Sequence, residues 1–277
     1  MRKLFSILCI SLCSVLVHAQ TLEQTLSFAD AAFTVGNYPL AISNYQRVIF
    51  FGNDSVLFHC YSNIANCYSA TNDFVNGNKY YDLAFFLTKS DSLKNELVLK
   101  RTENFLHQKK FNEALGELFS LNNKLFGGQP KKSNVYFGIV YFGKEDYTNS
   151  EKYFELAVGN DSVKQKTIHD LFIQNKKADR INPRTAEILS IIIPGAGQIY
   201  AGDFRNGINS LLINAAFAYL FVNTAQVATL SDAVFTVAPW YFRYFQGGYK
   251  HAESIAQVRK DMKHAAIFNL LISQLAD

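Results

Sequence analysis

Four aromatic residues, Tyr38, Phe74, Phe111 and Tyr147, recur at intervals of 36, 37 and 36 residues, and the apolar pattern around each is alike. Three residues after each stands a small or tolerant one: Ala41, Gly77, Ala114, Ser150. Seven after comes a large one (Tyr45, Tyr81, Leu118, Phe154), and ten after an apolar one (Val48, Ala84, Leu121, Ala157). Ahead of each aromatic, at ten, nine and six residues, lie Phe28, Ala29, Ala32; Ile64, Ala65, Tyr68; Arg101, Thr102, Phe105; and Phe137, Gly138, Tyr141. The pattern predicts pairs of helices, with small residues where the two of a pair approach and bulky ones filling the groove to the next pair. A fixed period in this range marks a stack of helical hairpins, an all-α solenoid.

Punctuation agrees with this division. Asn53-Asp54-Ser55, Ser90-Asp91-Ser92 and Asn160-Asp161-Ser162 each precede an apolar helix start, as N-cap residues do. Gly127-Gly128-Gln129-Pro130 breaks the chain between the third and fourth units. Val163 to Ala178, with Lys164, Lys166, Asp170, Lys176 and Lys177, predicts a closing helix with a polar outer face. The order of small and aromatic positions resembles the tetratricopeptide repeat, over residues 21–160. Gly77 and Ser150 depart from its preferred alanine, Ala32 from its tyrosine; the closing proline is missing and each unit is two or three residues longer. The resemblance implies a concave groove lined by the first helix of each pair, suited to a protein or peptide partner. Asn63, Asn66, Lys100 and Asn104 are candidate groove residues, or else plain solvated helix faces. Repeats and capping helix together occupy residues 20–180.

From 185 to 277 the pattern changes. Between Thr185 and Tyr249 only Glu187, Asp203, Arg205, Asp232 and Arg243 are charged, and Asn206 to Ser231 carries no charge at all. Ile208 to Leu230 would reach about 34 Å as a helix, against a hydrocarbon layer of about 30 Å. Asn209, Asn214, Asn223 and Gln226 inside it fit either contacts between membrane helices or burial against protein. Ahead of it runs Pro194-Gly195-Ala196-Gly197-Gln198-Ile199-Tyr200-Ala201-Gly202, followed by Arg205 and Gly207. This motif resembles a family of small bacterial two-helix membrane hairpin domains, over residues 185–230. The resemblance implies a first helix bent at Pro194, a tight polar turn at Gly202–Gly207, and a second helix running back. A dinucleotide or phosphate loop is excluded, because the third glycine comes five residues after Gly197 instead of three and no Gly-Lys-Ser/Thr follows. Ala233 to Gly248 is a further apolar stretch whose Trp240, Tyr241, Arg243 and Tyr244 suit a membrane–water boundary or an aromatic packing cluster. Gly247-Gly248 is expected to end it, before a polar helix to about Lys263 and an apolar face of Ile267, Leu270, Leu271 and Leu275.

Composition narrows the function classes. Hydrophobic residues make up 49% and charged ones 18%, below the roughly 25% charge usual in soluble domains. Arg2, Lys3, the apolar run Leu4 to Val17 and Val17-His18-Ala19 read as a secretory leader over residues 1–19, with a retained anchor as the alternative. The net charge of +4 falls to +2 without Arg2 and Lys3, so no basic nucleic-acid footprint is expected. Beyond the leader remain Cys60 and Cys67, seven residues apart on one helix and so about 10 Å apart, too far for a disulfide. His59, His107, His169, His251 and His264 lack metal-ligand spacing, and no nucleophile elbow is found. No cofactor, metal, small-molecule substrate or catalytic residue is expected. The expectation is an exported scaffold, attached to the bilayer of a bacterial envelope with its repeats on the periplasmic side. The alternative is an envelope-assembly or membrane-insertion component whose hairpin is the working part. Residues 161–184 carry six basic and three acidic residues, which the positive-inside rule would place on the other side.

Overall fold

A computed structural model describes residues 21–121 and 130–276. The leader and residues 127–129 of the expected chain break lie outside the described residues. Among the described residues the chain is helical throughout, without strands. It divides into two compact units, one ending at Ala157 and one beginning at Val158.

The first unit contains α1 (Leu22–Thr34), α2 (Tyr38–Phe51), α3 (Asp54–Ala70), α4 (Phe74–Leu87), α5 (Asp91–His107), α6 (Phe111–Phe119), α7 (Pro130–Gly143) and α8 (Tyr147–Val158). They form four hairpins, and the recurring aromatics Tyr38, Phe74, Phe111 and Tyr147 are the first residues of α2, α4, α6 and α8. One turn closes all four. Two residues before each aromatic, Gly36, Asn72, Lys109 and Glu145 are left-handed, with φ of 77°, 62°, 56° and 60°. The next residue's N–H then donates back to the carbonyl six residues before the aromatic: Asn37 to Ala32, Asp73 to Tyr68, Lys110 to Phe105, Asp146 to Tyr141, all at 2.9–3.0 Å. This left-handed C-terminal closure satisfies carbonyls that the helix end would otherwise leave bare.

The turn sets the register of the two helices, and small residues let them meet. Nine before and three after each aromatic stand Ala29 with Ala41, Ala65 with Gly77, Thr102 with Ala114, and Gly138 with Ser150, all buried. At the last pair the Ser150 hydroxyl donates to the Gly138 carbonyl at 2.8 Å. The bulky residues at the next position along, Tyr45, Tyr81, Leu118 and Phe154, are no more than 2% exposed and form the core with Val48, Ala84 and Ile64. Ser90 caps α5 through the Leu93 amide. Asn53 precedes α3 without a side-chain cap.

The second unit contains α9 (Ser162–Ala178), α10 (Pro183–Ile192), α11 (Ala196–Tyr200), α12 (Phe204–Val227), α13 (Leu230–Thr236) and α14 (Ala238–Ala276). Asp161 caps α9 through the Val163 and Lys164 amides. The expected closing helix thus lies in this unit, where it packs on α14 with Asp179 paired to Lys260 at 3.0 Å and Asn175 bonded to His264 at 2.7 Å. Pro194 does not bend one helix but separates two. Ile193, extended as a residue before proline must be, ends α10, and the left-handed Gly195 starts α11. The turn after α11 closes at Asp203, and Gly207 lies inside α12. The expected stop at Gly247-Gly248 is also absent, since α14 runs through both. Two glycines cost about 1 kcal/mol each in a helix, but here the Gly248 carbonyl accepts a bond from Gln198 and its bare Cα lies against Ser210.

Two glycines of the first unit should respond oppositely to alanine. A Cβ on Gly138 would stand 2.8 Å from the ring of the fully buried Phe154, whereas one on Gly116 meets nothing within 4 Å. Gly138→Ala is expected to destabilise the repeats by about 1–3 kcal/mol through overpacking. Gly116→Ala should stabilise them by up to about 1 kcal/mol. Urea midpoints of the two variants, moving in opposite directions, check the packing.

Candidate functional site

Two regions carry polar groups that the folding of single helices does not explain. The first lies on the leading helices of the hairpins. Tyr45 and Tyr81 bury their rings, and each hydroxyl reaches back to the residue eight before its repeat aromatic: Tyr45 to Asp30 at 2.6 Å, Tyr81 to Asn66 at 2.7 Å. The Asp30 carboxylate also meets His59 Nε2 at 2.8 Å, His59 contacts the Asn63 amide at 3.1 Å, and Asn66 donates to Asn63 at 3.2 Å. A polar ladder therefore crosses α1 and α3, in which a His59 Nε2–H donating to Asp30 meets the Asn63 amide as a contact and not a second bond, and the His59 ring is about half exposed. Burial and the neighbouring Asp30 carboxylate both raise the Tyr45 phenol far above its usual range, so it stays a donor.

Of the four candidate groove residues, Asn63 and Asn66 belong to this ladder and Lys100 is partly exposed on α5. Asn104 is buried and donates to Asn78 at 2.8 Å, so its amide holds α4 to α5. Beside it Arg101 bridges Asp82 and Glu117. Burial raises the Glu117 carboxyl, and the Arg101 guanidinium opposes that rise. The Cys60 and Cys67 thiols are free and buried, and burial pushes both up to about 11. They stay protonated and pack as small apolar groups.

The second region is the interior of the Pro194–Gly207 hairpin. A Cβ on Gly197 would stand 1.9 Å from the Ala186 carbonyl oxygen, and one on Gly195 2.1 Å from that of Gly207. Both glycines mark backbone crossings that admit no side chain. Around the crossings lies a buried hydrogen-bonded chain. The Gly197 N–H donates to the Ser190 hydroxyl at 2.9 Å, which donates to Gln198 Oε1 at 2.9 Å, while Gln198 Nε2 donates to the Gly248 carbonyl at 3.0 Å. Tyr200 lies further out, its hydroxyl donating to the Arg180 carbonyl at 2.8 Å and accepting from the Asn182 N–H. Neighbouring packing is by Ala186, Ala201, Ala252 and Ala256.

The turn of this hairpin repeats that of the first unit. Gly202 is left-handed at φ 85°, and the Asp203 N–H donates to the Gln198 carbonyl at 2.8 Å. Asp203 then takes the Asn206 backbone and side-chain amides at 3.1 and 2.7 Å. Asp73 with Asn76, and Asp146 with Asn149, make the same pair of bonds at 3.2 and 2.7 Å. The shared sequence is Asp, aromatic, any residue, Asn, small: Asp73–Gly77, Asp146–Ser150, Asp203–Gly207. Its significance is missed when the two halves are read apart.

The outside of α12 inverts the usual arrangement. Its buried residues are Gly207, Ser210 and Asn214, on one stripe, with the Asn214 amide donating to the Ser210 carbonyl. Its exposed residues include Ile208, Leu211, Leu212, Tyr219, Leu220, Val222 and Val227. At about 2 kcal/mol per exposed side chain, discounted by half for partial cover, leaving these in water forgoes on the order of 7 kcal/mol, comparable with a whole domain's stability. The helix has 24 residues and is long and apolar enough to cross a bilayer. Ile188, Ile191 and Ile192 on α10, and Ile193 just after it, are similarly apolar and exposed.

No protein-family model matches this chain, and no curated protein matches it.

Two variants test the hairpin. Gln198→Leu leaves Ser190 and the Gly248 carbonyl without their partner and is expected to destabilise the second unit by about 1–3 kcal/mol. Fluorescence of the one tryptophan, Trp240, reports that unfolding. The Asp203 carboxyl is held below its ordinary value, first by the Asn206 backbone amide and then by its side chain. A depressed value means stability present above the ordinary carboxylate range and lost as pH falls through the depressed one. Asp203→Asn should retain the cap at neutral pH and flatten the acid limb of the unfolding curve below about pH 4.

Proposed function

We propose that this chain is an exported, membrane-attached scaffold whose tetratricopeptide-like repeats recruit a protein or peptide partner at a bacterial envelope. The observation that carries membrane attachment is the inverted α12, with Gly207, Ser210 and Asn214 inward and most of its large apolar side chains outward. In lipid the outward face is solvated by acyl chains, and the inward small residues permit close helix packing. The resemblance of residues 185–230 to two-helix membrane hairpin domains points the same way. The Asp30–His59–Asn63–Asn66 ladder supports partner capture, because it offers aligned donors and acceptors on adjacent leading helices. Stacked hairpins bind chiefly through such faces.

A second reading makes the hairpin the working part in envelope assembly or membrane-protein insertion. It draws on the buried Ser190–Gln198–Gly248 chain, an unusual concentration of polar bonds in an apolar unit.

Carbonate washing of membranes should leave the full chain in the pellet. Release into the supernatant contradicts attachment by α12. A photo-crosslinker at Asn63 or Lys100 is expected to trap a discrete polypeptide that the same group at the exposed Glu113 does not. Identical products from all three positions contradict the groove. Function lost in Gly195→Leu, with the groove adduct retained, would instead favour the working hairpin.

A further inference from the structure

Two cavities of different character meet on the second unit. One, of about 420 Å³, is lined by Asn206, Asn209, Trp240, Arg243 and His251 among others, and no carboxylate lines it. The other, of about 510 Å³, is lined by apolar side chains and Tyr241, including Phe221, Val222, Val234 and Phe242. Phe217 belongs to both. Its ring lies 6.3 Å from that of Tyr241 in the apolar cavity and 5.9 Å from that of Tyr244 in the polar one. The two spaces are therefore successive compartments along one α12–α14 seam, divided by an aromatic wall.

Position along the helix fits an amphiphile. Asn209 and Val222 stand 13 positions apart on α12, about 20 Å, enough for one leaflet of about 15 Å, half of a hydrocarbon layer of about 30 Å, and part of a headgroup. Asn209 lies six residues past Asp203, near the turn end of α12, where Arg205 and Arg259 also line a cleft. Arg243 is exposed to its cavity and makes no ion pair among the described residues. A guanidinium and the Asn209 amide, lining one pocket that has no carboxylate among its lining residues, are complementary to a phosphodiester.

We propose that this seam is a binding site for one anionic phospholipid, its phosphate held by Arg243 and Asn209 and an acyl chain lying in the Phe217–Phe242 compartment. The assignment rests on the membrane reading given above. Trp240, at the rim of the polar cavity, is the reporter.

The test reconstitutes the full chain into phosphatidylcholine vesicles containing a small, fixed fraction of lipid brominated on its acyl chains. That lipid is either phosphatidylglycerol or phosphatidylcholine, and bromine quenches a nearby tryptophan. Brominated phosphatidylglycerol is expected to quench Trp240 at about fivefold lower mole fraction, the preference one cation confers near an anionic surface. Arg243→Gln should abolish that preference and Arg243→Lys retain most of it. Arg205→Gln, an equal loss of charge at the other cleft, should leave it unchanged, and millimolar inorganic phosphate should not compete. Equal quenching by the two lipids overturns the site while leaving membrane attachment standing. Preference lost equally in Arg205→Gln assigns it to general surface charge and overturns the site too. Quenching by neither lipid contradicts the membrane reading itself.

Discussion

Close approach of two backbones beneath a left-handed turn is the constraint on which both units depend. In every hairpin of the first unit, a carbonyl six residues before the aromatic takes the N–H just ahead of it, which fixes how the second helix returns. The returning helix then crosses its partner three residues after the aromatic, where only Ala, Gly or Ser stands. A larger residue there would separate the helices and withdraw Tyr45, Tyr81, Leu118 and Phe154 from the seams they fill. The tyrosine hydroxyls, once buried, must find partners, and Asp30 and Asn66 supply them from the neighbouring helix. The polar ladder is therefore a consequence of packing as well as a candidate surface.

The second unit uses the same turn. Gly202, Asp203 and Asn206 reproduce the closure and cap of Asn72, Asp73 and Asn76 bond for bond. What changes is the distribution of side chains around it. Around the Pro194–Gly207 hairpin the interior is alanine, glycine and serine with buried Gln198 and Asn214, and the outside of α12 is rich in isoleucine, leucine and valine. In water the hydrophobic effect would work against that distribution. In hydrocarbon, association depends on close packing and on hydrogen bonds between helices, and small residues with a satisfied Gln198 provide both.

The fold of the first unit is legible because its period fixes chemically similar residues at equivalent seams: the aromatics, the small residues after them and the carbonyl acceptors before them all land where spacing puts them. The left-handed positions were not legible, since Asn72, Lys109 and Glu145 do not announce φ above zero as Gly36 does. Tertiary closure imposes that conformation. Asn104 looked like a groove residue because its seam partner, Asn78, lies 26 residues away. Gly247 and Gly248 looked like a stop because propensity is local, whereas the carbonyl that Gln198 engages is reached across 50 residues. The Arg243 seam needs α12 and α14 side by side, which no window of sequence displays.

The central proposal is that α12 packs its Gly207, Ser210 and Asn214 stripe inward and turns its apolar face toward lipid. Spin labels placed singly from position 207 to position 222 of α12, in vesicles, measure it most directly. Accessibility to dissolved oxygen should peak at 208, 212, 219 and 222 and fall at 207, 210 and 214, while a water-soluble nickel chelate reaches none of the outward positions. Outward labels exposed to the nickel chelate throughout would contradict the account.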